Sequence, residues 1–210
     1  MKPSFWPSRR RPQGPDYRQA LLALVGLLSG LSVFIALERF ITPRYYWVTS
    51  ADQWIPFIAH SWWVYVLFFP FVMLAATYAS AERFKAFGTA TAIAFGVALL
   101  CFWLFPEIVP RPDIELVENA FLKQRLSRLW QLDQASNGCP SLHVALTCLA
   151  CRALWDRPYK GLIAITGLLI CASTLTLKQH TVIDVAGGVL LAVACALLTQ
   201  RQGNNACASA

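Results

Sequence analysis

Residues 20–38, ALLALVGLLSGLSVFIALE, carry no charged side chain before Glu38 and are long enough to cross the hydrocarbon core of a bilayer. Five further apolar runs of similar length follow, so that the six runs lie at about 20–38, 61–79, 88–105, 139–155, 161–177 and 181–200. The chain is 57% hydrophobic and only 14% charged, whereas a typical soluble domain is roughly 25% charged. The sequence therefore predicts an all-α membrane protein, a six-transmembrane-helix bundle with short loops.

The basic residues predict how this bundle is oriented. Of the eighteen Lys and Arg, eleven fall in segments on the side of the N-terminus and seven on the other side. Because positive charge near span ends favours the cytoplasm, both termini are expected inside. This placement accounts for the net charge of +7 without a nucleic-acid partner, and none is predicted. Small size and short loops favour a bacterial cytoplasmic membrane.

Three parts of the chain are distinguished by composition. Residues 1–19 are rich in Pro and Arg and predict a flexible basic cytoplasmic tail that contacts anionic lipid headgroups. Residues 20–200 form a single six-span domain, and residues 201–210 form a short C-terminal tail. Within the domain, 113–132 places apolar residues at helical spacing among charged ones, which predicts an amphipathic helix over the outer face. The sequence leaves the oligomeric state open.

Ionisable residues from three separate segments converge on the outer side of this topology. They are Arg111 after the third run, His143 at the start of the fourth, and Lys178, His180 and Asp184 between the fifth and sixth. Ionisable groups at membrane depth are costly and indicate function. His180 and Asp184 are four residues apart, so on a helix the carboxylate can orient the imidazole as a nucleophile or base.

The remaining candidates complete a site for an anion. Pro140 suits the first turn of a helix, whose N-terminus attracts phosphate oxygens, and Ser141 adds a hydroxyl. With Arg111 and Lys178, this set provides a nucleophile, an acid and positive charge, as phosphoryl transfer without a metal requires. Two histidines and Asp184 could instead bind a metal ion, but Arg111 and Lys178 would repel a divalent cation. Neither a metal nor a cofactor is predicted.

At these residues the chain resembles the type-2 phosphatidic acid phosphatase superfamily of membrane lipid phosphatases, which carries the motifs K-x6-R-P, P-S-G-H and S-R-x5-H-x3-D. This chain has, in the same order, Arg111-Pro112, Pro140-Ser141-Leu142-His143, and Ser173 followed by His180 and Asp184. The resemblance implies that His180 forms a phosphohistidine, oriented by Asp184. It also implies that His143 protonates the leaving group and that Arg111 and Ser141 hold phosphate oxygens.

The chain departs from these motifs at Leu104, Leu142 and Thr174, so two of the family's phosphate-binding cations are absent. Lys178 is the predicted replacement for one of them, and Arg125 or Arg128 for another. The stretch from Ser173 to His180 is more similar to the branch that contains inositol phosphorylceramide synthases and sphingomyelin synthases. Members of that branch often transfer a phospho-headgroup to another lipid instead of to water.

Three functions are consistent with these residues. The leading prediction is a lipid phosphatase that hydrolyses a lipid phosphate or diphosphate at the outer membrane face. The second is a lipid phosphotransferase, which moves a phospho-headgroup between lipids. The third is a non-catalytic lipid-binding or transport protein of the same fold, which the loss of cations at Leu104 and Thr174 would favour.

Overall fold

A computed structural model describes residues 14–136 and 138–208, and the described chain is helical, with two isolated β-bridges. Its nine α-helices, in chain order, are α1 Tyr17–Glu38, α2 Ser50–Trp54, α3 Trp62–Tyr65, α4 Phe68–Tyr78, α5 Ala81–Leu104, α6 Ala120–Leu132, α7 Leu142–Ala153, α8 Lys160–Thr176 and α9 Val182–Ala208. A 3-10 turn at Ala59–Ser61 precedes α3, and another, Ile114–Leu116, precedes α6. The all-α prediction is therefore confirmed.

Four of the six predicted spans are long and apolar enough to cross a membrane. They are Tyr17–Glu38, Ala59–Tyr78, Ala81–Leu104 and Val182–Gln200. The other two, α7 and α8, have 12 and 17 residues, or about 18 and 26 Å at 1.5 Å per residue, short of the ~30 Å hydrocarbon core. In α7 the apolar run begins before the helix does, because Ser141 caps its N-terminus by accepting a hydrogen bond from the Val144 N–H (3.2 Å).

The core lies where α4, α5, α7 and α9 meet, with α7 at its centre. Three fully buried alanines four residues apart, Ala90, Ala94 and Ala98, give α5 a smooth face on which the neighbouring helices pack closely. Gly188 does the same for α9, since a Cβ there would lie 2.5 Å from the Ser141 carbonyl oxygen. This close contact places the start of α9 beside the start of α7.

The amphipathic segment covers one end of the bundle, but as two elements where the sequence predicted one helix. Asn119 caps α6 by accepting a hydrogen bond from the Leu122 N–H (3.1 Å), so the chain breaks between Ile114–Leu116 and Ala120. Leu122 and Leu126 of α6 are buried against Tyr65 and Leu177. The amphipathic prediction therefore holds for 120–132 and is wrong for a continuous helix from 113.

The structure describes only part of the two predicted tails. Residues 1–13 of the basic tail lie outside the described residues, and α1 begins at Tyr17, capped by the Asp16 carboxylate. At the other end, α9 continues through the predicted C-terminal tail as far as Ala208.

The turn between α8 and α9 fixes the site. Lys178 has φ 55°, the left-handed conformation that commonly ends a helix and that glycine normally occupies. The N–H groups of Gln179 and His180 both donate to the Thr174 carbonyl, at 3.0 and 3.2 Å. This tight ending directs the chain from α8 into α9 and leaves His180 between the two helices.

Candidate active site

A cavity of about 330 Å³ lies at the end of the bundle covered by α6, and its lining includes His143, His180, Arg111 and Gln179. The imidazoles come from the first turn of α7 and from the turn before α9, and Arg111 comes from the segment after α5. Residues that are far apart in sequence thus line one space, as the predicted topology required.

His180 and Asp184 are paired as the i,i+4 spacing predicted. Nδ1 of His180 lies 3.5 Å from Oδ2 of Asp184, which is fully buried. The same oxygen accepts a hydrogen bond from the Thr181 N–H at 2.7 Å, so the carboxylate has a fixed orientation. With Nδ1 turned toward Asp184, the other imidazole nitrogen of His180 is available to the cavity.

His143 lies between two aromatic rings. Its ring centroid is 4.3 Å from that of Tyr65 and 3.9 Å from that of Phe68, and both contacts are stacked. Nε2 of His143 is buried and has no hydrogen-bond partner in the described part of the protein. The stacking fixes the plane of the imidazole and leaves an unsatisfied nitrogen beside the cavity.

The guanidinium of Arg111 is held by the two residues that follow α6. Its guanidinium donates to the carbonyl oxygens of Asp133 (2.7 Å) and Gln134 (3.2 Å) and lies 3.5 Å from the Asp133 carboxylate. Burial lowers the pKa of Arg111, and the charge of Asp133 opposes that shift. Burial also raises the pKa of Asp133 while Arg111 lowers it. An anion in the cavity would therefore share Arg111 with a carboxylate already present.

Gln179 is a cavity residue that sequence reasoning missed. It is buried, and its Oε1 accepts a hydrogen bond from Arg111 Nη2 at 3.2 Å. Its Nε2 and the Nε of Arg111 are both buried without a partner among the described residues. Two adjacent donors are thus unsatisfied at the cavity wall, and phosphate oxygens are suitable acceptors for them. The one signal in the sequence was its position next to His180.

Lys178 is placed away from the cavity, contrary to the predicted phosphate-binding role. Its Nζ donates to the carbonyl oxygens of Asp52 (2.8 Å) and Ile55 (2.6 Å), at the end of α2. The left-handed turn at Lys178 turns its side chain toward this loop, whereas Gln179 and His180 line the cavity. The ammonium group is thus satisfied by backbone oxygens and fixes the loop after α2.

The other predicted anion-binding residues lie outside the cavity. Ser141 is fully buried, and its hydroxyl oxygen caps α7. Arg125 lies over the ring of Phe121, 4.9 Å from its centroid, and Arg128 is exposed on α6. None of the three lines the cavity. Of the predicted cations, Arg111 alone reaches the cavity within the described part of the chain.

Two residues that differ from the family motifs, Leu104 and Thr174, lie outside the cavity. Leu104 ends α5 with its side chain about half exposed, and Thr174 is fully buried in α8. Thr174 donates its hydroxyl hydrogen to the Cys171 carbonyl at 2.7 Å. Neither position lines the cavity, so the site has the single guanidinium of Arg111 where the motifs lead one to expect three cations.

Comparison with known protein families gives one match. A family model described as the PAP2 superfamily matches residues 33–198, a range that includes Arg111, His143 and His180. The chain belongs to the PAP2 superfamily. This confirms the resemblance to the type-2 phosphatidic acid phosphatases, and the branch within it stays a prediction. No curated protein and no solved structure matches the chain.

Membership of the PAP2 superfamily supports an enzyme with phosphatase-type activity on phosphate esters. The four long apolar helices make the chain an integral membrane protein. In the described residues, no three or more His, Cys, Asp or Glu side chains are grouped so that they could hold a metal ion. The site therefore offers two imidazoles, an orienting carboxylate and an arginine.

Proposed function

We propose that this protein is a lipid phosphatase, which hydrolyses a lipid phosphate or diphosphate through a phosphohistidine intermediate on His180. The observation that carries the proposal is the two-part lining of the cavity. One end holds His143, His180 and Arg111, and much of the remaining wall is apolar, including Leu27, Leu31, Phe34, Phe95, Phe102 and Leu146. A phosphate headgroup fits the first part and a hydrocarbon chain the second.

A second cavity supports a long hydrocarbon chain. It has a volume of about 370 Å³, lies between α1 and α5, and shares Leu27, Phe95 and Leu146 with the first. Its lining is almost wholly apolar and includes no charged residue. The two cavities are neighbours with three apolar wall residues in common, so we propose that the hydrocarbon chain extends from the first into the second.

In the first step we place the phosphorus between the two imidazoles. Nε2 of His180 attacks phosphorus while the P–O bond to the lipid oxygen breaks, and Asp184 stabilises the positive charge that develops on the ring. His143 donates a proton to the departing oxygen. Arg111 and the free amide N–H of Gln179 bind the phosphoryl oxygens, whose charge spreads in the transition state.

In the second step an acceptor replaces His180. Water attacks phosphorus and loses a proton to His143, the P–N bond breaks, and inorganic phosphate leaves with His180 restored. A lipid hydroxyl in place of water would give transfer of the phosphate group instead of hydrolysis. The steps use no metal ion.

We propose that all six apolar helices span the membrane, with both termini in the cytoplasm of a bacterium and the active site at the outer face. The distribution of Lys and Arg supports this orientation. The short α7 is surrounded by α4, α5, α8 and α9. Its ends can therefore contact protein instead of lipid, so this helix does not have to be as long as the bilayer is thick.

A panel assay tests the proposed function. The purified protein is incubated with phosphatidic acid, an isoprenyl diphosphate and a phosphorylated glycolipid in the presence of EDTA, and free phosphate and new lipids are both measured. We expect phosphate release by the wild type and none by His180→Ala. New phospholipid without free phosphate would indicate the transferase, and lipid binding without either product would indicate a non-catalytic protein.

A further inference from the structure

Glu107 is a buried carboxyl group directly behind the candidate active site. It lies three residues after the end of α5, is 0% exposed, and does not line the cavity. Its backbone is fixed by a β-bridge to Tyr45, and the following residue, Ile108, donates its N–H to the Tyr45 carbonyl at 2.8 Å. The position is therefore set by the loop and not by a substrate.

The carboxyl groups of Glu107 and Asp184 meet at Gly138. A side chain on Gly138 would collide with Glu107 Oε1, and its Cβ would lie 2.6 Å from Asp184 Oδ2. Both oxygens therefore lie against the same glycine, close enough for the two carboxyl groups to interact. Glycine at position 138 thus makes room for both.

Among the described residues, Asp184 of this pair faces His180, whereas Glu107 faces no cation. Within the described residues Glu107 forms no ion pair, and the other ionisable groups that face it are the carboxylate of Asp52 from α2 and the thiol of Cys139. Both side-chain oxygens of Glu107, and Oδ1 of Asp184, lack a hydrogen-bond donor. Two buried carboxylates cannot both be ionised at such proximity without a large cost, so one of them holds a proton.

The proton belongs to Glu107. Burial, the charge of Asp184, the hydrogen bond to Asp184 and the charge of Asp52, in that order, raise the pKa of Glu107 to about 9. Asp184, by contrast, accepts a hydrogen bond from the Thr181 N–H and faces His180, which both favour its ionised form.

We propose that Glu107 is a positioning residue, which donates a hydrogen bond to Asp184 and thereby fixes the carboxylate that orients His180. Asp184 is then held by Glu107 and the Thr181 N–H, and Nδ1 of His180 faces a carboxylate that cannot rotate. The role rests on the proposed function of His180 as nucleophile. It adds to the three motif positions a fourth residue, which comes from the segment between Leu104 and Arg111.

The experiment compares Glu107→Gln with Glu107→Ala. Glutamine keeps a neutral donor of the same shape, whereas alanine leaves Asp184 without it. With dioctanoyl phosphatidic acid in detergent as the probe, we expect Glu107→Gln to keep kcat within about threefold of wild type. Glu107→Ala should lose roughly tenfold or more in kcat at similar KM, because a buried acceptor loses its donor.

The pH profile separates positioning from packing. In the wild type, kcat should fall as the pH rises through about 9, since ionised Glu107 repels Asp184. Glu107→Gln should remove that fall. Glu38→Gln is the matched control, because Glu38 is also buried but accepts hydrogen bonds from Gln134 and Ser136, and this variant should keep the alkaline fall.

Unfolding provides a readout that needs no turnover. The folded protein binds the Glu107 proton more tightly than the unfolded chain does, so stability should fall as the pH rises from about 4.5 to about 9. Glu107→Gln should lose this part of the dependence, as measured by thermal unfolding in detergent. If the wild type releases phosphate from no probe, the proposed function fails, and the unfolding measurement still decides whether Glu107 holds a proton.

Three results would overturn the inference. They are wild-type kcat in folded Glu107→Ala, equal losses of kcat in the Gln and Ala variants, and an alkaline fall or pH-dependent unfolding that persists unchanged in Glu107→Gln. Should Glu107→Ala not fold, the Glu107→Gln measurements decide alone.

Discussion

The two histidines are held by different means, and their replacement should have different effects. His180 is fixed through Asp184, and His143 by stacking on Tyr65 and Phe68. We expect His180→Ala to abolish phosphate release, since the phosphoryl intermediate of the proposed mechanism forms on its Nε2. His143→Ala should slow release by roughly 10²–10⁴-fold, the usual contribution of general acid–base catalysis.

The check is a set of esters whose leaving groups differ in pKa. The loss in His143→Ala should be greatest for the poorest leaving group, because such an oxygen most needs the proton. An equal loss across the series would exclude His143 as the general acid. Wild-type turnover by His180→Ala would exclude the phosphohistidine mechanism altogether.

Gln179 carries a prediction about binding. Replacing it with Leu keeps the volume but removes the buried amide donor and the acceptor for Arg111. We expect kcat/KM to fall at least about tenfold, since a hydrogen bond to a charged group contributes about 1.5–3 kcal/mol. Arg128→Gln, which removes an exposed charge on α6, is the control and should stay within about twofold of wild type. Equal kinetics for Gln179→Leu and wild type would exclude Gln179 as a phosphate ligand.

Among the site residues, the sequence predicted those that belong to a recognisable spacing or motif. The i,i+4 spacing of His180 and Asp184 indicated their pairing, although His180 lies in the turn before α9 and not on the helix. Pro140 indicated the early position of His143 in α7. Glu107 and Gln179 lie in no such pattern, and their burial depends on segments that meet only in the folded chain. Lys178 lies away from the cavity because a left-handed turn, which sequence alone does not predict for lysine, directs its side chain to the loop after α2.

At the scale of elements, the turn between α8 and α9 makes Lys178 a structural residue. Its Nζ satisfies the carbonyls of Asp52 and Ile55. We expect Lys178→Gln to lower the free energy of unfolding by about 1.5–3 kcal/mol, the value of hydrogen bonds from a charged donor, while kcat/KM stays within about threefold. Lys178→Gly should lose the same hydrogen bonds. Its free energy of unfolding should fall less, because glycine adopts the left-handed backbone conformation without strain.

Thermal unfolding in detergent and steady-state kinetics on the same preparations measure both effects. A loss of kcat/KM of tenfold or more in both folded variants would indicate that Lys178 binds phosphate after all.

The apolar runs predicted the positions of six helices, yet two helices are shorter than a bilayer is thick. Run length overestimates helix length wherever a proline and a capping serine, here Pro140 and Ser141, sit inside the apolar run.

At the scale of the whole molecule, the orientation can be tested directly. In a cysteine-free background, we expect Glu118→Cys, near the active-site end, to react with an impermeant thiol reagent added outside intact cells. Lys85→Cys, near the opposite end of α5, should react only after the membrane is opened. Both positions are exposed in the folded protein, so accessibility reports the side of the membrane. The reverse pattern would place the active site in the cytoplasm.

The two neighbouring cavities allow a prediction about the length of the substrate chain. Gly88 and Gly26 line the inner cavity, and a Cβ on either would meet nothing within 4 Å. A leucine at position 88 therefore adds bulk at the cavity wall without displacing a neighbouring backbone. A chain that enters this space would be overpacked, which typically costs 1–3 kcal/mol, or roughly tenfold in rate.

We therefore expect Gly88→Leu to lose about tenfold or more in kcat/KM for dipalmitoyl phosphatidic acid and little for the dioctanoyl ester, whose acyl chains are half as long. Gly96→Leu is the matched control, because Gly96 lies on the same helix, is exposed, and lines neither cavity. It should leave the ratio of the two rates unchanged, which also shows that added bulk on α5 is tolerated. The ratio is the decisive quantity, since a general loss of folding lowers both rates together. If Gly88→Leu lowered the two rates equally, or neither, the chain would lie outside these cavities, along the lipid-facing surface of the bundle.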